Sequence, residues 1–101
     1  MFPTDHPTEF SRDTAGTEAE WLARLPGACG AHELALVGPG QAQVRIGAGV
    51  LDLVWQVLEP RRIALVRLDR LQVHYRFEAV DAAARSCFMR HFDLYMQRGG
   101  G

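Results

Sequence analysis

From residue 71 to residue 78 apolar and polar side chains alternate without a break. Leu71, Val73, Tyr75 and Phe77 fall on one side of an extended chain, and Gln72, His74, Arg76 and Glu78 on the other. Successive side chains of a strand point to opposite faces, so this segment has one buried and one wet face. It belongs in a sheet covered on one side. Four more segments read as strands: Glu33 to Val37, Ala42 to Ile46, Val50 to Leu58 and Ile63 to Leu68. Turn chemistry at Gly38-Pro39-Gly40, Gly47-Ala48-Gly49 and Pro60-Arg61-Arg62 separates the first four. Connections this short favour an antiparallel meander. Asp69-Arg70 is a poor primed-turn pair, so one bent strand through the last two segments is the alternative.

The middle strands are less regular. Leu51, Leu53, Trp55 and Val57 share a face, yet Val54 and Leu58 lie opposite; Ile63 and Leu65 oppose Ala64, Val66 and Leu68. The sheet centre therefore reads as apolar on both sides, and the second side calls for a cover, either the N-terminal helix or another molecule.

Two helices complete the pattern. Thr17-Glu18-Ala19-Glu20 is a capping box, and Trp21, Leu22 and Leu25 give one apolar side to a short helix from Glu18 to Leu25, stopped by Pro26-Gly27. Asp81 caps a longer helix from Ala82 to Gln97. Ala84, Phe88, Met89, Phe92, Tyr95 and Met96 form its sheet-facing arc, and Cys87, His91 and Leu94 lie on a neighbouring flank. The expected fold is α+β: an antiparallel sheet of four to five strands, a short N-terminal helix and a long C-terminal helix packed on one face.

The domain is expected to span residues 17–98, with a flexible tail at 1–16 and a flexible glycine end at 99–101. A chain of 101 residues, 48% hydrophobic and 23% charged, supplies one modest core, which excludes a large multi-substrate enzyme. It contains no Lys and no Asn, and all 11 basic residues are Arg. That is the mark of a GC-rich, bacterial-type composition, and it removes P-loop lysines, Schiff bases and Ser-Lys dyads from consideration. Residues 1–59 carry three Arg against eight carboxylates, net −5; residues 60–101 carry eight Arg against four, net +4. Such halves fold against each other, or the second presents a basic face to an anion.

The N-terminal residues are polar, with Pro3, Pro7, Asp5, Glu9 and Asp13, and do not read as a signal peptide. No run reaches the length needed to span a bilayer, so no membrane association and a cytoplasmic location are expected. Cys29 and Cys87 are accordingly expected as free thiols.

Few residues offer chemistry. Gly47-Ala48-Gly49 begins like a dinucleotide fingerprint, but Asp52 stands where its third glycine belongs and a strand follows. Cys29 and His32, with Cys87 and His91 four apart on a helix, are weak candidates for a tetrahedral metal, and Cys87 with His91 for thiol catalysis. Structural thiols account for both better, because neither Cys lies in a tight ligand pattern or beside a recognisable substrate pocket, so no metal and no cofactor is assigned. Ser11 and Ser86 sit in no nucleophile elbow. Arg98-Gly99-Gly100-Gly101 resembles the diglycine end of ubiquitin-like carriers, but those tails leave a strand and this one leaves a helix.

The best binding candidate is the polar side of the last strand, Arg70, His74 and Arg76, joined by Arg61, Arg62 and Arg67, because guanidinium groups hold phosphate bidentately. The aromatics Tyr75 and Phe77 point the other way, so the stacking platform of single-strand nucleic-acid binders is missing. Surplus apolar side chains at Val54, Leu58, Val66 and Leu94 point instead to a protein-interaction module with itself or another protein as partner. Anion or nucleic-acid binding is the alternative, and no reaction is assignable.

Overall fold

The computed structural model describes residues 7–100. Along the chain run β1 (Glu9–Ala15), α1 (Glu18–Cys29), β2 (Leu34–Gly38), β3 (Gln41–Ile46), β4 (Gly49–Val57), β5 (Arg61–Ile63), β6 (Val66–Leu68), β7 (Arg70–Glu78) and α2 (Ala82–Gly100). Five strands form one antiparallel sheet in the order β1-β7-β4-β3-β2, while β5 and β6 pair only with each other. The fold is thus α+β, as the periodicities require, with a different sheet membership from the one expected.

The unbroken alternation of residues 71–78 places β7 between β1 and β4, where both its edges are hydrogen-bonded. Leu71, Val73, Tyr75 and Phe77 are buried, in line with Leu51, Leu53 and Trp55 of β4 and with Ala42, Val44 and Ile46 of β3. Both helices lie on this side. The α2 side chains Phe88 and Phe92 meet Phe77 and Tyr75 edge-on, and Trp21 of α1 meets both Trp55 and Phe92. The core therefore sits wholly between one sheet face and two helices. Among the described residues the other face carries no helix, which corrects the expectation of a sheet centre apolar on both sides: along β4 only Val54 and half-buried Val50 interrupt its polar row.

Three local features depart from the sequence reading. First, residues 9–15 are an edge strand and not a flexible tail. Phe10 stacks on Tyr75 with ring centroids 4.7 Å apart, and Arg12 and Thr14 alternate inward with it. Residues 1–6 and Gly101 lie outside the described residues, and Gly99 and Gly100 continue α2.

Second, α1 continues through Pro26 to Cys29. Proline deletes one helical hydrogen bond and crowds the preceding turn. Here that loss is offset by burial of Leu25, Ala28 and Cys29. At Gly27 the two helices touch: a methyl group there would overlap the Tyr95 phenol, so the residue read as a helix stop is the helix-crossing point. The capping box holds, with the Glu20 N–H donating to Thr17 Oγ1 at 3.2 Å and the Thr17 N–H to Glu20 Oε1 at 2.8 Å. Asp81 caps α2, accepting from the Ala84 N–H at 2.8 Å.

Third, Ile63 to Leu68 is not one strand but a separate hairpin of β5 and β6. Ala64 and Leu65 form its two-residue loop, Ala64 taking the left-handed conformation at φ 54° that glycine normally fills. The hairpin leaves the sheet between β4 and β7 as an arm. With a radius of gyration of 14.0 Å and extents of 46 × 33 × 21 Å the molecule is elongated, against about 13 Å for a compact globule of this length.

Candidate functional site

Residues 70, 72, 74, 76 and 78 of β7 share the helix-free face with Glu9, Ser11 and Asp13 of β1 and with Asp52, Val54 and Gln56 of β4. The register sets acids beside bases. Arg76 lies between Glu9 and Asp52 across the strands and donates to Glu78 at 3.3 Å; Arg70 donates to Asp13 at 3.4 Å and to the Glu59 carbonyl at 3.1 Å. His74 lies 2.6 Å from Glu9 Oε2 through Nε2 and 2.7 Å from Ser11 Oγ through Nδ1. The strand that reads as basic is thus interleaved with carboxylates, half of them from β1. Both the Asp13–Arg70 and Glu9–His74 pairs join the acidic and basic halves of the chain.

Ser11, His74 and Glu9 stand in the order of a nucleophile, a base and an orienting acid, a grouping invisible while Ser11 counts as tail. Acyl transfer also needs oxyanion donors and room for substrate beside the nucleophile. The shallow cavity of about 280 Å³ on this face is lined by Glu9, His74, Arg76, Asp52 and Val54 but not by Ser11. The trio ties the edge strand to β7.

The six expected anion-binding residues do not share one face. Arg70, His74 and Arg76 lie on the sheet, whereas Arg61, Arg62 and Arg67 belong to the arm. A cavity of about 460 Å³ at the base of the arm collects Arg61, Arg67 and Arg70, but Asp13, Glu20 and Asp69 line it as well. Arg67 donates to Asp69 at 3.1 Å. Three carboxylates among three guanidinium groups leave this cavity without the positive potential that would concentrate a phosphate.

Every side chain from Arg61 to Leu68 is exposed. Cross-strand partners in the arm are Arg61 with Leu68, Arg62 with Arg67 and Ile63 with Val66. One side therefore shows Ile63, Val66 and Leu68, at 56%, 54% and 44% exposure, with Leu65 fully exposed at the tip. The other side sets two Arg directly opposite each other, an arrangement that costs stability in a sheet. Among the described residues Arg61 and Arg62 make no ion pair. Of the expected interface residues Val66 lies on this arm, Val54 on the open sheet face, half-buried Leu58 between them and Leu94 on the outer side of α2; they do not form one patch.

Compared with known proteins, the chain matches no family model and no curated sequence.

The cysteine and histidine candidates all lie near the crossing of α1 and α2. Cys29 is buried, and burial pushes its thiol up to about 11 from 9.0, the opposite of what a ligand or nucleophile requires. Cys87 is exposed; His32 packs edge-on against Phe88 at 5.3 Å, and His91 Nε2 lies 3.4 Å from the Gly27 carbonyl. Among the described residues no three His, Cys, Asp or Glu side chains converge as a metal site. Nor is any described helix long and apolar enough to cross a membrane.

On the covered side, Arg12 reaches across from β1 to Asp93 of α2 at 2.7 Å and lies over the rings of Phe10 and Tyr75. Burial alone lowers the pKa of this guanidinium, but the hydrogen bond and charge of Asp93 outweigh it and hold Arg12 above its ordinary value. Burial likewise raises the Tyr75 phenol. Arg12 thereby pins the edge strand to the helix layer.

Proposed function

We propose that this protein is a non-enzymatic interaction module whose contact element is the β5–β6 arm. One observation carries the reading: eight consecutive residues of a paired hairpin are exposed, and three of the four large apolar side chains among them share one side. A two-stranded hairpin by itself is marginally stable in water, so an arm of this kind gains stability when a partner covers it. The residues of the arm also describe that partner. It offers an apolar surface to Ile63, Val66 and Leu68 and carboxylates to Arg61 and Arg62, because an acid between the opposed Arg62 and Arg67 relieves their repulsion.

A photo-crosslinking residue placed at Leu65 of the full chain, in the cell of origin, tests this. The expected result is one discrete protein adduct that disappears when Ile63, Val66 and Leu68 are replaced together by serine and that does not form from Gln72 on the open sheet face. An adduct pattern at Leu65 no different from that at Gln72 would overturn the reading.

A further inference from the structure

We propose that β2 is a homodimerisation seam at which two copies of this chain join their sheets edge to edge. The seam lies at the opposite side of the sheet from β1 and is separate from the arm. Its hydrogen-bonding groups can be assigned from the register. The Arg45 N–H donates to the Glu33 carbonyl at 2.9 Å, so Glu33 and Arg45 are a hydrogen-bonded pair, and strand alternation turns Ala35 the same way. Leu34 and Leu36 then direct their N–H and C=O groups away from β3. Among the described residues no strand meets them.

The side chains are equally open. Leu36, opposite Ala42 of β3, and Val37, at the register irregularity that follows, are 63% and 51% exposed. The strand is uncharged from Leu34 to Gly38. Exposed edges in natural sheets are normally protected by charge, proline, a bulge or a covering element. Among the described residues β2 has one such device, a register irregularity between Leu36 and Gly38 at its far end, and Leu34 to Leu36 are left without any.

A second copy fits this edge better than any other part of the molecule. Antiparallel pairing about a two-fold axis through Ala35 sets Leu34 opposite Leu36 of the other copy, twice, and satisfies all four free N–H groups and carbonyls of those residues. It places the small Ala35 side chains against each other, sets Glu33 opposite Val37, and brings no like charges together. The same operation on β1, centred on Arg12, would face Arg12 with its own copy. A seam of five residues, Leu36 and Val37 among them, buries less than a standard interface, so the dimer forms through the micromolar range and not below it.

Sedimentation of the full chain across a concentration series, from roughly 1 to 300 μM, reads the equilibrium directly. The expected dimer weakens at least tenfold in Leu36→Lys, which sets like charges on both sides of the axis, with unchanged circular dichroism and melting of the dilute monomer. Ala35 occupies a non-hydrogen-bonded position in the seam, where Cα atoms approach to about 4.5 Å. In a Cys87→Ser background Ala35→Cys should therefore oxidise to a disulfide-linked dimer, whereas Ser11→Cys at the β1 edge should not. A monomer at all concentrations, a dimer indifferent to Leu36→Lys, or a dimer abolished only by the serine substitutions in the arm would each overturn the seam. None of these outcomes bears on whether the arm binds a different protein.

Discussion

β1 and β2 end the same sheet on opposite sides, and their side chains differ in kind. β1 sets Glu9, Ser11 and Asp13 on its outer face and turns Phe10 and Arg12 inward, where Arg12 joins Asp93 of α2. β2 carries no charge, and its Leu36 and Val37 remain exposed. One edge is bound to the body of the molecule by Phe10 and Arg12 and guarded outside by charge; the other is held by backbone pairing to β3 and by one half-buried side chain, Leu34, packed against the core. Edge protection and edge anchoring therefore coincide in β1, whereas β2 has no charge to guard it and Leu34 alone to anchor it. A strand left both unguarded and lightly anchored is more economically explained by association than by stability.

The sharpest way to break this contrast is to truncate one inward side chain at each edge. Phe10→Ala removes a ring stacked on Tyr75 and in reach of Phe77, and should cost about 2–3 kcal/mol, below a fully buried Phe because Phe10 is only half-buried. Leu36→Ala should change the stability of the dilute monomer by less than about 0.5 kcal/mol. Urea unfolding at sub-micromolar concentration measures both. Equal costs would mean that the two edges are anchored alike.

The same contrast explains what was legible in the residues themselves. β7, β3 and most of β4 alternate strictly, and α2 carries an unambiguous arc, so the architecture follows from period alone. β1 did not announce itself because its one strongly apolar side chain, Phe10, is followed by Arg12 and Thr14, which face inward only because Asp93 and the Phe10 and Tyr75 rings receive the guanidinium. The split of Ile63 to Leu68 into two strands was hidden because its turn is Ala64-Leu65 and lacks the Gly or Asn that such turns favour. The helical reach of α1 past Pro26 depends on burial of Ala28 and Cys29 and on the fit of Gly27 against Tyr95, both tertiary matters. The candidate site suffered most from these gaps: the basic strand looked unopposed only while the carboxylates of β1 were assigned to a tail.

Because β2 is anchored by Leu34 alone, the buried end of α1 that leads into it should register any loosening of that side, and Cys29 reports it. In the unfolded chain a thiol ionises from its ordinary value of 9.0, while in the folded chain it keeps its proton to about 11. The stabilisation from this thiol is complete below pH 9, where both states are protonated. It is lost as pH rises from 9 to 11, and by pH 11 amounts to about 2 kcal/mol. Tyr75, also raised by burial, adds a further loss that begins above its ordinary 10.0. The difference in pH profile between the natural chain and Cys29→Ala isolates the thiol. The fall should be shallower in the variant, and parallel profiles would show that Cys29 is far more hydrated than its 1% exposure implies.

The smallest effect expected is the most informative about why β1 is charged at all. Glu9 and Asp13 pair with His74 and Arg70, yet all four side chains are a third exposed or more, and pairs of this kind contribute at most about 1 kcal/mol each. Replacing both acids, Glu9→Gln with Asp13→Asn, should thus lower stability by less than roughly 2 kcal/mol in total, about 1 for pairs as exposed as these, and less at high salt. If the carboxylates guard the edge instead of stabilising it, the variant should self-associate more readily than the natural chain while melting almost unchanged. The association should persist when Leu36→Lys is added, because it would run through β1. A variant that unfolds easily and stays monomeric would assign these charges to stability, and the difference between the two edges would then be one of anchorage alone.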